Sequence, residues 1–104
     1  MKNEKRELLG YFGVDSGQVL ITDPCYIDNY WEIKDKNPEQ LKKHPHLADY
    51  SLQGACKKTL SKKQGGMLGK GSAVVSSTGY GDGEYKVYAT KVDGCIKKLE
   101  IEFF

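Results

Sequence analysis

Asp93-Gly94 stands between two runs whose side chains alternate strictly, and this arrangement constrains the fold more than any other feature of the chain. Before it, residues 84–92 place Tyr85, Val87 and Ala89 on one face and Lys86, Tyr88 and Thr90 on the other. After it, Leu99, Ile101 and Phe103 alternate with Lys98, Glu100 and Glu102. A period of two marks a half-buried strand. Asp-Gly is a favoured two-residue loop because a type I′ turn needs positive φ at both positions. An antiparallel hairpin is therefore predicted at the carboxy-terminal end. Immediately upstream, Gly79-Tyr80-Gly81-Asp82-Gly83 reads as a tight turn or bulge.

The amino-terminal part repeats the theme less regularly. Residues 1–7 are polar and expected to fray, and residues 8–14 form a short apolar run. Asp15-Ser16-Gly17 follows, with Gly17 supplying the positive φ of a three-residue hairpin loop. Val19, Leu20 and Ile21 are consecutive apolar residues, as in a strand covered on both faces. Pro24 cannot donate to a ladder, so that strand should end at Asp23 and leave Asp23, Cys25 and Tyr26 at its terminus. Residues 27–50 form an irregular excursion, with Asn37 as N-cap and Pro38 opening one short helix over 38–44. A strand is expected near residues 55–60, a loop over 61–71 and another short strand over 72–77. With 12 glycines, only 3 prolines and 104 residues, the chain reads as a single domain, all-β or β-dominated α+β. The expected form is a small antiparallel meander closing into a barrel or sandwich.

Charge is unevenly spread. Residues 34–70 hold nine lysines against Asp35, Glu39 and Asp49, a balance of 9 − 3 = +6, whereas the remainder is 7 − 11 = −4. The net +2 is too small to imply sequence-specific nucleic-acid binding. The basic middle segment either attracts a phosphate-bearing ligand or an acidic surface, or is a solvated excursion. Cys25, Cys56 and Cys95 show no C-x-x-C spacing, and an odd count fits reduced thiols in a cytoplasm. No stretch approaches the length of a membrane span, and the first residues do not read as a secretion signal.

Several residues are candidates for a ligand site. Asp15, Asp23, Asp82 and Asp93 adjoin turn glycines or strand ends, where a carboxylate binds ligand or simply accepts backbone N–H groups. They lack the spacing of a calcium loop, so no metal or other cofactor is expected. Tyr80 to Gly83 resembles an anion cradle, but leads into a strand rather than a helix. Gly65 and Gly66 form a second glycine pair flanked by Lys62, Lys63 and Lys70. Cys25 is a nucleophile only if a base lies near it, and the sole histidines, His44 and His46, sit in a loop-like His-Pro-His. Tyr26, Tyr80 and Tyr85 offer stacking area with a hydroxyl, or else pack the core.

The strings VDSGQVLITDPCYI, SLQGACKKTLSKKQGGML and AVVSSTGYGDGEYKVYATKVDGCIKKLEIEF resemble a group of small uncharacterised proteins of bacteria and their phages. The likeness covers residues 13–26 and 51–103, and extends more distantly to the DUF4241 type of domain. Cys95 departs from it, standing where the pattern has arginine. The resemblance implies a site location and a phage or mobile-element setting, with no established activity.

The reading that follows is a small non-enzymatic binding protein. Its ligand site would comprise Asp15, Asp23, Cys25, Tyr26, Gly65, Gly66, Tyr80, Asp82 and Tyr85, with the DPCY and GYGDG corners bordering one recess. The ligand would be nucleotide-like, a host-defence signal to be sequestered. The alternatives are an inhibitor or adaptor docking a host protein through residues 34–70, and an enzyme using Asp23, Asp82 or Cys25. Strand edges that need covering make a homo-oligomer a further expectation.

Overall fold

The computed structural model describes residues 3–103. Two compact units divide it: a terminal unit from the described parts of 1–17 and 78–104, and a central unit, Gln18–Ser77. Each unit holds one three-stranded antiparallel sheet, so among the described residues the six strands do not close into the expected barrel.

The terminal unit contains β1 (Glu4–Val14), β5 (Gly83–Val92) and β6 (Cys95–Glu102), in the order β1-β5-β6. The predicted hairpin is β5–β6, and Asp93 and Gly94 take φ of 51° and 83°, as a type I′ turn requires. The alternation of β5 orients it: Tyr85 and Ala89 are buried while Glu84 and Lys86 are exposed. Residues 4–7 do not fray. They pair with residues 89–92 of β5, and their charges are used across the sheet. Arg6 reaches over the central strand to Glu100 (3.1 Å) and Glu102 (2.6 Å), with its guanidinium 3.8 Å from the Tyr88 ring centroid. The hydrogen bond to Glu100 is the main cause holding the Arg6 pKa above its ordinary value. Lys91 pairs with Glu7 at 2.8 Å. A bulge between Leu8 and Gly10 leaves Leu9 without a partner in the ladder.

The central unit holds β2 (Gln18–Thr22), β3 (Gly65–Leu68) and β4 (Ala73–Ser77), in the order β2-β4-β3. β1 and β2 therefore form no hairpin: β1 pairs with β5, and β2 pairs with β4. Gly17 does take the positive φ expected of it, at 67°, but in a link between two sheets. The single short helix becomes four, α1 (Pro24–Tyr30), α2 (Ile33–Lys36), α3 (Pro38–Lys43) and α4 (Leu52–Thr59), with a 3₁₀ turn at Pro45–Asp49. Capping explains the gain. Asp23 accepts from Cys25 N at 2.9 Å, and Pro24 sits at the first helical turn, so this corner starts a helix where a strand end was expected. Asn37 and Pro38 open α3 as predicted, with Asn37 accepting from Gln40 N at 3.2 Å.

Residues 52–59 are helix, not strand. Ser51 caps Gly54 N at 3.1 Å, and Gly54, Ala55, Cys56 and Thr59 turn one face inward. That face contacts β3 and β4. The core beneath is Ile33, Leu47, Tyr50, Ala55, Leu68, Ala73 and Val75, with Leu20, Tyr30, Trp31 and Leu41 packed around it. Tyr50 is wholly buried, and its hydroxyl lies 2.7 Å from Thr22 Oγ1. Thr22 gives its one proton to Ser72 O at 2.8 Å, so Tyr50 is the donor to Thr22. Trp31 meets Tyr50 edge-on at 5.0 Å, a geometry worth about 0.5–1.5 kcal/mol beyond burial.

Candidate functional site

Of the nine residues expected to bind ligand, Asp15, Tyr80, Asp82 and Tyr85 belong to the terminal unit, and Asp23, Cys25, Tyr26, Gly65 and Gly66 to the central one.

In the terminal unit the 78–83 loop is strongly constrained. Gly79, Gly81 and Gly83 have φ of 77°, 79° and 155°, backbone that side chains rarely tolerate. Buried Thr78 anchors it: its N–H donates to Gly17 O at 3.0 Å and its hydroxyl to Gly81 O at 2.8 Å, while Tyr80 N donates to Thr78 Oγ1 at 3.3 Å. Tyr85 is a strut of this loop. Its ring is buried between Phe12 (6.3 Å) and Phe103 (5.4 Å), and its hydroxyl donates to Gly81 O at 2.7 Å. A Cβ on Gly17 would lie 3.9 Å from Gly81 Cα, so the turn bearing Asp15 runs alongside the loop bearing Asp82. Tyr80 is 64% exposed, and Asp15, Asp82 and Glu84 on the neighbouring turn, loop and strand are exposed as well.

In the central unit the expected residues separate. Asp23, Cys25 and Tyr26 follow the Thr22 end of β2, whereas Gly65 and Gly66 lie in β3, the other edge of the sheet. Register adds to the distance: Thr22 and Leu68 both pair with Ala73, while Gly65 pairs with Ser76 at the far end. Asp23 is occupied as a helix cap. Cys25 is exposed, and its Sγ accepts from Asn29 Nδ2 at 3.5 Å, an amide unable to act as a base. Tyr26 leads an aromatic row, Tyr26–Tyr30–His44–His46, with successive centroids 6.0, 6.2 and 5.9 Å apart. Cys56 Sγ accepts from Gln18 Nε2 at 3.4 Å and Thr59 donates to Gln18 Oε1 at 3.0 Å, tying α4 to β2. Among the described residues no group of three or more His, Cys, Asp or Glu is arranged to hold a metal ion.

Gly65 owes its identity to close packing: a Cβ there would lie 2.6 Å from Val75 O, whereas one on Gly66 would meet only the flexible Lys58 side chain, 3.1 Å from its Cδ. The pair lines an open groove of about 340 Å³ bounded by Lys63, Gln64, Met67 and residues 74–76. Ile21 and Met67 each pair with Val74, so the three form one cross-strand row, 57%, 57% and 49% exposed. Residues 51–77 carry Lys57, Lys58, Lys62, Lys63 and Lys70 and no Asp or Glu, a balance of 5 − 0 = +5, and of these Lys63 lines the groove while Lys58 lies against Gly66. All five lysines are exposed. Sequence reasoning missed Met67 because residues 61–71 read as loop, and Val74, inside the predicted 72–77 strand, because its place beside Met67 depends on register. The missing carboxylates between 51 and 77 were the legible signal.

Two smaller concavities of about 230 Å³ lie elsewhere, one over Glu84–Lys86 with Glu102 and Phe103, the other between Lys34, Asp49 and Lys57. No helix of the described residues is long and apolar enough to cross a membrane. No curated protein and no solved structure matched the chain. The family model described as "Protein of unknown function (DUF4241)" matches residues 3–99, a span that includes the glycine loop, the DPCY corner and the β3 groove. The chain belongs to the DUF4241 family.

Proposed function

We propose that this protein is a binding protein, an adaptor or inhibitor, that captures an acidic extended segment of a partner protein along the free edge of β3. The observation that carries this reading is the groove itself, where exposed Met67 and Val74, continued by Ile21 across the sheet, belong to a stretch of chain with five lysines and no carboxylate over residues 51–77. Among the described residues β3 pairs only with β4, so one side of its backbone is open to a further strand. Strand addition supplies affinity through main-chain hydrogen bonds and specificity through alternate side chains. An incoming strand with acidic residues toward the lysines and an apolar residue beside Met67 would meet both demands. In the phage or mobile-element setting that the sequence resemblance implies, that partner is a host protein in the cytoplasm.

The test is anisotropy of a fluorescent peptide alternating Glu and Val, titrated with the intact protein at low and high salt. Binding should weaken with salt and with Lys58→Glu/Lys63→Glu, and Met67→Asp should weaken it at every salt concentration. A basic peptide binding equally well, or an affinity untouched by the charge reversal, overturns the reading.

A second reading, a nucleotide-derived ligand at the glycine loop, is favoured by the exposed Tyr80 ring. Stacking of a base on such a ring is worth about 1–3 kcal/mol. The phosphates would meet the exposed carboxylates of Asp15, Asp82 and Glu84, which ranks this reading second. A panel of nucleotides and cyclic nucleotides that leaves the melting temperature unchanged removes it.

A further inference from the structure

β6 (Cys95–Glu102) is one of the two edges of its sheet, and its sequence is self-complementary. We propose that two copies of the chain associate through antiparallel pairing of β6 with β6, joining their three-stranded sheets into one of six strands. Among the described residues the strand pairs only with β5, and residues 95–99 are exposed, with Ile96 at 55% and Leu99 at 57%. An open edge of eight residues is what natural proteins ordinarily cover or block.

The register selects the partner. In a two-fold antiparallel pair, directly opposed residues must project from the same face, so the axis falls at a residue. Centred on Lys98 or Glu100, the pair sets that charge against itself. Centred on Ile101, it sets Glu100 against Glu102 of the partner subunit. Centred on Lys97, it opposes Lys97 to itself. Of the registers that pair most of β6, only centring on Leu99 opposes no like charges: Leu99 meets the partner's Leu99, and Lys98 meets the partner's Glu100 twice over. The regular β5–β6 register over residues 98–102 supports this pairing from behind, and the bulge opposite the Thr90–Lys91 step leaves Lys97 out of the ladder, one residue short of Lys98. Lys98 Nζ already lies 3.8 Å from Glu100 Oε1 of its own strand, with both side chains part-exposed, so the partner's carboxylate replaces an existing loose pair. Arg6, on Glu100 and Glu102, holds those carboxylates in place on the same face.

Lysines on an edge strand often serve to prevent pairing. Here they would block a generic strand while fitting this one. The occupant is therefore a second copy and not an arbitrary sequence, and the inference does not depend on the β3 groove.

Charge variants test it through light scattering on the eluting protein. The wild-type protein should run as a dimer. Lys98→Glu opposes Glu to Glu twice, and Glu100→Lys opposes Lys to Lys twice, so each should weaken association by about tenfold or more. Mixed, the two variants restore two attractive pairs and should form a heterodimer. Glu100→Lys keeps the Arg6–Glu102 pair, and circular dichroism confirms its fold. A monomeric wild type, or variants that dimerise as the wild type does, overturns the proposal. Register is read separately in a Cys25→Ser/Cys95→Ser background. There Leu99→Cys should crosslink to its twin, because directly opposed Cα atoms about 4.5–5.5 Å apart suit a disulfide. Lys97→Cys should not crosslink. Equal crosslinking of both, or of neither, overturns the register.

Discussion

Replacing Gly54 by alanine should destabilise the protein, although Gly54 lies inside α4, where alanine is ordinarily better by about 0.5–1 kcal/mol. The added Cβ would sit 1.8 Å from Asp49 O, 2.7 Å from Asp49 C and 3.0 Å from Asp49 Cα. These are backbone atoms, so no side-chain rotation relieves the clash. The 3₁₀ turn or the helix must move by more than an ångström. Asp49 is poorly placed to move, because its carbonyl accepts from Ser51 N at 2.9 Å and its carboxylate from Gly69 N at 2.8 Å. Overpacking costs about 1–3 kcal/mol, and losing the charged hydrogen bond to Gly69 adds about 1.5–3 kcal/mol. Subtracting the propensity gain leaves a net loss of about 1.5–5.5 kcal/mol, a large share of the ~5–15 kcal/mol expected of a domain. Urea unfolding followed by the single tryptophan reads it directly, since Trp31 packs edge-on against Tyr50 beside this corner. With a slope of about 1–3 kcal/mol per molar, the midpoint should fall by about 1–2 M. Gly13→Ala is the control, because nothing lies within 4 Å of its added Cβ. A Gly54→Ala midpoint equal to or above wild type would refute the close approach of α4 to the turn before it.

Tyr85→Phe removes one of two donors to Gly81 O and leaves Thr78 in place, so it should cost about 1 kcal/mol. Amide exchange should quicken over residues 78–83, and unchanged exchange there would argue against the strut. Arg6→Lys keeps the charge but loses the forked contact to two carboxylates, and should lower the urea midpoint slightly, by less in high salt. A salt-independent loss would contradict the ion-pair account. Glu7 has its pKa lowered, chiefly by its hydrogen bond with Lys91 and then by that residue's charge. Its contribution is therefore full above the unfolded-state value and lost as pH falls through the depressed folded value. Glu7→Gln should flatten that acid-side decline in urea midpoints, and parallel wild-type and variant curves would show that the pair adds nothing.

The parts of the fold legible in sequence are those whose signal is local. The Asp93-Gly94 hairpin needs only its own turn and its own alternation. Asn37-Pro38 specifies a helix start within four residues. The misread parts had two local solutions. Asp23-Pro24 ends β2 as expected but also opens α1, and the Cys25 N–H bond to Asp23 is what reveals the second role. Residues 52–59 contain β-tolerant Cys56 and Thr59 and a glycine, yet Ser51 caps them and tertiary contact with β3 and β4 favours the helix. The 61–71 run looks like a loop because Gly65 and Gly66 have no side chains, but their bareness lets β3 approach Val75 and Lys58. Residues 4–7 look like a charged tail because their partners, Lys91, Glu100 and Glu102, are more than eighty residues away.

The same distinction governs the candidate sites. Type and charge are visible in the chain, but which residues share a face depends on register, and register is a tertiary fact. Composition alone shows residues 34–70 as uniformly basic. Register adds that the carboxylate-free part, residues 51–77, borders a strand edge beside an exposed row of Ile21, Val74 and Met67. An edge carrying one sign of charge repels its own copy and suits an acidic foreign strand. β6 carries both signs, with Lys97 and Lys98 before Leu99 and Glu100 and Glu102 after it. An edge with opposite signs on either side of an apolar centre becomes complementary to itself once reversed. On the two proposals above, the charge order along each edge assigns the two sheets different partners, one foreign and one identical.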